Sequence, residues 1–210
     1  MIQFLKNNSF TERKKMNIYC IKNSIFNSAT YLISLNPSNN AFVIDCGDMQ
    51  PISDFIEQNH LNLKGLFLTH SHSDHIYGLN DLAQDYPNCK VYTSYYGIDG
   101  LRDPKLNLSR YHDDVEDFVY QYDNIEVLSE KQDVTIDNNV IKILETPGHD
   151  WSCLTFHIGK HLFTGDSYIP NARPQYHFPK GNKKQYYQSE ERIKKYAIEH
   201  ELTIMPGHII

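Results

Sequence analysis

The segment FLTHSHSDHIYGL, residues 67–79, sets His70, His72, Asp74 and His75 within six positions, directly after an apolar run. Imidazoles and carboxylates gathered so closely pack poorly unless they surround a cation, and both are good ligands for one. On an extended chain, positions i and i+2 face the same side, so His70 and His72 can reach one ion. The chain must then turn. Asp74 and His75 stand where a following helix would begin and point differently, so two ions fit better than one. The donors are nitrogen and oxygen with no thiolate, which suits two zinc ions, with iron or manganese as alternatives.

Three further donors lie far along the chain: His149 in TPGHDW, Asp166 in FTGDSY and His208 in MPGHII. Each ends a strand-like run, as the first cluster does: LFLTH, KILETPGH, HLFTGD and LTIMPGH. Strands deliver side chains rigidly, and the loops at their ends can turn those side chains to one point. Five histidines and two aspartates are one ligand too many for two sites of three. A bridging carboxylate accounts for the surplus. The expected assignment is His70, His72 and His149 to the first cation and Asp74, His75 and His208 to the second, with Asp166 between them. Taken singly, a histidine after a strand is more often a hydrogen-bonded core residue, and Pro-Gly-His is more often only a turn. The HxHxDH cluster is far more specific. All four strand-end signals together leave the plainer explanations little room.

The elements that must position these donors are read from period and punctuation. Two short strand-like runs fill 17–35, a turn follows at 36–40, and AFVIDCG (41–47) is a buried strand. Ile52, Phe55 and Ile56 place a helix over 51–60, and leucines at 79 and 82 place another over 78–86, closed by Pro87. Strands are expected at 63–68, 89–94, 139–148 and 202–205, with two more inside 153–166 joined by a Gly-Lys turn. Residues 100–124 read as a loop with one helical turn or two. A final amphipathic helix is expected over 189–200, with Ser189 as N-cap. Residues 1–15 read as a polar N-terminal extension, with Met16 an alternative start, and 16–210 as a single domain.

At 210 residues the chain can bury one good core. Its formal charge of −6 disfavours phosphate backbones, so no nucleic-acid partner is expected. No run approaches the ~20 apolar residues of a membrane span. Lys6, Asn7 and Asn8 break up the apolar start, which therefore lacks the core of a signal peptide. Cys20, Cys46, Cys89 and Cys153 show no CxxC spacing and read as reduced thiols, so a cytoplasmic location is expected.

The motifs THSHSDHIYGL, TPGHDWSCLTF, LFTGDSY and MPGHI, with ATYLI and VIDCG upstream, resemble the metallo-β-lactamase fold family over residues 17–208. The resemblance implies an α/β fold, a four-layer αββα sandwich, with a dinuclear site at one edge of its two sheets. LRDPKLNLS (101–109) is similar to a loop of the glyoxalase II-like hydrolases, which cleave glutathione thioesters. This chain departs from the pattern in three places. Asp150-Trp151 replaces a loop of small residues, the glycine-arginine after the bridging Asp motif is missing although Arg173 lies near, and no helical domain is expected after His208. In glyoxalase II that domain helps to bind glutathione, so hydrolysis is expected here and glutathione specificity is not.

The expected activity is therefore hydrolysis of an ester or thioester in a small-molecule substrate, with Asp74 orienting the nucleophile and Asp166 setting the metal spacing. Tyr168 is a candidate oxyanion donor and Trp151 a candidate pocket wall. Asp45 is a candidate for holding a ligand histidine by its free ring nitrogen, or for capping a turn. Two dications would take the formal charge from −6 to −2, and Arg173, Lys180, Lys183 and Lys184 could clamp an anionic substrate or simply form a solvated stretch. His112, His157 and His161 have no evident ligand partners. Lactonases and phosphodiesterases of the same fold are alternatives, as is a catalytically silent metal-binding module. A flavin-linked di-iron oxidoreductase would carry Glu in place of His72 and a flavodoxin-like domain.

Overall fold

The computed structural model describes the backbone of residues 3–5 and all of 16–113 and 116–210. The alternating apolar pattern forms two sheets. The first has the order β1 (Gln3–Leu5), β2 (Met16–Lys22), β3 (Ala29–Leu35), β4 (Asn40–Ile44), β5 (Asn62–Phe67), β6 (Lys90–Ser94) and β7 (Ile125–Leu128). Pairing is antiparallel from β1 to β4 and parallel from β4 to β7. The second sheet runs β12 (Thr203–Pro206), β11 (His161–Gly165), β10 (Leu154–Ile158), β9 (Asn139–Glu145) and β8 (Val134–Ile136). Only β11 and β12 pair in parallel there. Gln3–Leu5 thus adds an edge strand to part of the expected extension, whose remainder lies outside the described residues.

β3 shows how the period sorts the side chains. Tyr31, Ile33 and Leu35 enter the core between the sheets beside Phe42, Phe67, Phe156 and Phe163, while Leu32 faces the opposite side. On that side α1 (Met49–Gln58) and α2 (Leu79–Asp85) bury Ile52, Ile56, Leu79 and Leu82, and α3 (Tyr95–Arg102) buries Leu101. On the outer face of the second sheet, α4 (Lys183–Glu199) packs Ile193 and Ala197 on Leu162. The layers are helix, sheet, sheet, helix, the expected αββα sandwich. No helix among the described residues is long and apolar enough to cross a membrane.

Three expectations change. The last helix begins at Lys183, capped by Asn182, whose side chain accepts from Gln185 N at 3.0 Å. Ser189 lies inside this helix and donates to the Pro147 carbonyl at 2.7 Å, a tertiary acceptor that makes mid-helix serine tolerable. The segment expected as mostly loop from Gly100 begins within α3. That helix starts at Tyr95, and the Ser94 hydroxyl accepts from Gly97 N at its first turn. Short strands at 125–128 and 134–136 were not expected; they pair as outermost members of their sheets.

Candidate metal centre

All four strand-end signals come to one edge of the sandwich. β5 leads into His70 and His72 and then a 3-10 turn, Ser73–His75; β9 leads to His149, β11 to Asp166 and β12 to His208. The structure brings the seven side chains together. Ligand atoms of His70, His72 and His149 lie within 4.8 Å of one another, as do those of Asp74, His75 and His208, and those of His70, His75 and Asp166. Asp166 stands between the groups: Oδ2 is 3.1 Å from His208 Nε2 and 3.5 Å from His149 Nε2, and Oδ1 is 3.5 Å from His75 Nε2. One oxygen of Asp74 is 3.4 Å from both His75 Nε2 and His208 Nε2.

The second nitrogen of each imidazole faces an oxygen on the outer side. His75 Nδ1 meets the Asp45 carboxylate at 3.0 Å, His149 Nδ1 the Gln175 carbonyl at 2.8 Å and His208 Nδ1 the Phe26 carbonyl at 3.0 Å. His70 Nδ1 is 3.1 Å from the Thr69 hydroxyl, and His72 Nε2 is 3.7 Å from Asp150, just beyond a hydrogen bond. An outer acceptor fixes the proton on that nitrogen and aims the other lone pair inward. Inward, ring nitrogen faces ring nitrogen: His149 Nε2 is 2.9 Å from His72 Nδ1, and His75 Nε2 is 3.4 Å from His208 Nε2. His70 Nε2 and Asp166 Oδ1 are buried without a hydrogen-bond partner. Orphaned donors converging on common points are what a pair of divalent cations would satisfy. The residues fit the group.

The electrostatics separate the two triads. Burial depresses His72 to about 3 and His149 to about 4, against the pull of Asp166. Burial, then His75 and His72, push His70 well below the ordinary imidazole value. These three imidazoles are neutral, the form that coordinates metal. His75 behaves oppositely. Burial alone would lower it, but Asp74, Asp166 and Asp45 outweigh that and hold it up to about 10. His208 is raised as well, Asp166 overcoming its burial. Asp166 itself is held well below the carboxylate range, because His75 and His208 overcome burial. Without a cation His75 therefore carries a proton that an arriving cation would displace.

Other expected residues lie elsewhere. Tyr168 packs its ring under α4, beside Lys194 Nζ at 4.9 Å and with the Leu162–Ile193 cluster, so the oxyanion-donor expectation is corrected. Trp151 also turns away. Its neighbour Asp150 takes the inward position, and the indole stacks on Tyr96 at 4.5 Å, lining a separate cavity of about 510 Å³. The anion clamp is not assembled at the cluster: Lys180 lies over the Trp151 ring, Lys183 over the Tyr176 ring, and Arg173 and Lys184 are exposed. His157 bonds the Tyr196 hydroxyl at 2.9 Å and His161 lies at the start of β11, both outside the cluster. His112, in contrast, lines the cavity at the metal ligands. Sequence reasoning also missed the Gln175 and Phe26 carbonyls. As main-chain groups they leave no residue signature.

A family model for the metallo-beta-lactamase superfamily matches residues 24–208. A hydroxyacylglutathione hydrolase of Tolumonas auensis is 28% identical over 178 residues, covering 85% of this chain and 60% of that protein. One from Francisella philomiragia is 28% identical over 190 residues, covering 90% and 65%. The chain thus spans less than two-thirds of the length of either relative. Among solved structures, the BLEG-1 B3 metallo-beta-lactamase superposes with a TM-score of 0.82 at 19% identity, covering 93% of this chain and 92% of that one. TTHA1623 in a di-iron-bound form gives 0.77 at 19% identity, covering 91% and 92%. With the family model matched over nearly its whole length, the chain belongs to the metallo-beta-lactamase superfamily.

Proposed function

We propose that this protein is a dinuclear metal-dependent hydrolase that cleaves an ester or thioester carbonyl, in the manner of the glyoxalase II-like branch. The observation that carries this is the ring of seven side chains that converges on common points, with His70 Nε2 and Asp166 Oδ1 left unsatisfied inside it, while the outer nitrogens of His75, His149 and His208 are held by oxygens. Superfamily membership and the hydroxyacylglutathione hydrolase relatives support hydrolysis in general. His70, His72 and His149 would hold one cation, Asp74, His75 and His208 the other, and Asp166 would touch both. The all-nitrogen and oxygen donor set suits zinc, and equally iron or manganese.

Bound cations supply Lewis acidity, polarising a carbonyl and making water nucleophilic at neutral pH. The chain's own groups do the remainder. Asp166 sets the separation of the two triads. Asp74, 8% exposed at the cavity, orients the attacking water and receives its proton at a carboxylate oxygen. Asp45, Gln175 and Phe26 hold the imidazoles in the tautomer that leaves Nε2 free.

The test is a substrate panel of thioesters, esters, lactones, β-lactams and phosphodiesters with metal-loaded protein, together with Asp74→Asn and Asp166→Ala. Thioesters or esters should turn over fastest, Asp74→Asn should lower kcat and Asp166→Ala should lower metal content. Full activity and full metal content in both variants would overturn the assignment.

A further inference from the structure

The cavity that opens on the ligand cluster measures about 340 Å³, and beyond the ligands it is lined by Ser73, Phe26, Leu108, His112, Gln175 and Phe178. No lysine or arginine is among its lining residues. Phe26, Leu108 and Phe178 form the apolar part of its wall beside the polar Ser73, His112 and Gln175: Phe178 sets its ring edge-on to His72 and His149 at 4.9 and 5.0 Å, and Phe26 stands edge-on to His112 at 4.9 Å.

Two of these wall residues have an unusual backbone. Ten non-glycine residues have positive φ among those described; seven are Asn, Asp or His, the types that tolerate this region best, and one is Glu201. The two apolar exceptions are Phe26 (φ 51°) and Leu108 (φ 70°), and both line this cavity. Large side chains persist in the left-handed region only where the surroundings over-determine them, and such residues cluster at ligand clamps. Each wall is anchored to the ligand segments. The Phe26 carbonyl accepts from His208 Nδ1, and the carbonyl of Asn27 accepts from Ile209 N at 3.1 Å. Buried Asn107 donates to the Gly100 and Phe118 carbonyls, and its own carbonyl accepts from Ser73 N at 2.8 Å. Burial does not explain the phenyl ring, since Phe26 is 45% exposed. Glycine would satisfy the same turn with less strain.

We propose that Phe26 and Leu108 form an apolar clamp that seats an uncharged acyl group attached to the scissile carbonyl. The inference rests on the hydrolase reading above and names its substrate class: esters or thioesters of short aliphatic or aryl acids, not of dicarboxylic acids. The cavity is small, with the ligands in its wall. It therefore fits the group bonded directly to the reacting carbon and not a bulky carrier.

The test pairs binding with turnover. Uncleavable methyl ketones from butanone to octanone are titrated into zinc-loaded protein, with amide shifts at residues 26 and 108 followed by NMR. Affinity should tighten about three- to fourfold per added methylene until the cavity is full. In Leu108→Ala and Phe26→Gly this gradient should flatten. The ratio of kcat/KM for hexanoyl over acetyl thioester should fall with it, and a succinyl thioester should be a poor substrate of the wild type. Phe26→Gly should also melt no lower than the wild type, because the left-handed turn is relieved while little burial is lost. A flat ketone series, a preference for the succinyl thioester, or an undiminished gradient in Phe26→Gly would overturn the clamp. A graded ketone series without turnover of any ester or thioester would uphold the clamp and sink the hydrolase reading. Turnover indifferent to acyl length would do the reverse.

Discussion

Asp45→Asn changes one atom at the point on which the second triad depends. In the wild type, Asp45 Oδ1 accepts from Thr69 N at 2.7 Å, while Oδ2 accepts from the Thr69 hydroxyl at 2.7 Å and from His75 Nδ1 at 3.0 Å. Burial lifts this carboxyl, and these three donors oppose the lift. The backbone at Asp45 is left-handed, with φ 58°, a conformation asparagine tolerates well, so the fold should survive. In the variant an NH₂ group replaces Oδ2. The threonine hydroxyl can rotate to accept, but the His75 ring must present a lone pair at Nδ1 and move its proton to Nε2. That nitrogen then meets Asp74, Asp166 and His208 as a donor and cannot coordinate. Loss of a charge-assisted hydrogen bond is worth about 1.5–3 kcal/mol. At about 1.4 kcal/mol per tenfold this is roughly a ten- to hundredfold loss of affinity, the range found when an outer partner of a metal ligand is removed. Competition between metal-free protein and a chelator for zinc measures it. One equivalent should weaken by that factor, while the other, held by the buried neutral triad, should change less. Both equivalents binding as tightly as in the wild type would refute the role given to Asp45.

Gly148 has φ +136°, and a Cβ there would lie 2.1 Å from Tyr186 N at the start of α4. Gly148→Ala should therefore destabilise by about 3 kcal/mol or more in thermal unfolding, by combined backbone strain and overpacking. Asp48 accepts from Ser24 N at 2.8 Å, from the Ser24 hydroxyl at 2.7 Å and from the Tyr77 hydroxyl at 2.5 Å. Burial would raise its carboxyl, but these donors win and hold it below the ordinary 3.8. A carboxyl depressed by folding stabilises above its unfolded value and loses that stabilisation as pH falls through its folded value. Asp48→Asn should therefore be about 1 kcal/mol less stable at pH 7, and the gap should narrow below about pH 4 in urea titrations at a series of pH values.

The donors were legible because each follows a strand, and β9, β11 and β12 deliver His149, Asp166 and His208 with few intervening residues. Asp45 was legible for the same reason, as a charge at the end of a buried strand. The groups that aim the histidines were less so. Gln175 and Phe26 act through carbonyls in loops, and any residue type would supply the same atom. Trp151 and Tyr168 lie beyond the ends of their strands, where alternation no longer sets the facing: Asp150 turns toward His72 while the Trp151 indole stacks on Tyr96, and Tyr168 packs in the layer under α4. Helix α3 was hidden by two glycines in YYGIDGLR, which lower intrinsic helix propensity, while its cap and the burial of Leu101 sustain it. Ser189 resembled a cap because serine bonds main-chain groups in either setting. Only the tertiary partner, the Pro147 carbonyl, distinguishes the two.

The central claim is a two-cation cage, and anomalous X-ray diffraction from crystals grown with zinc, recorded at the zinc edge, tests it most directly. The account predicts two peaks per chain, one ringed by His70, His72 and His149, the other by Asp74, His75 and His208, with Asp166 touching both. A single peak, or none within reach of these residues, would contradict it.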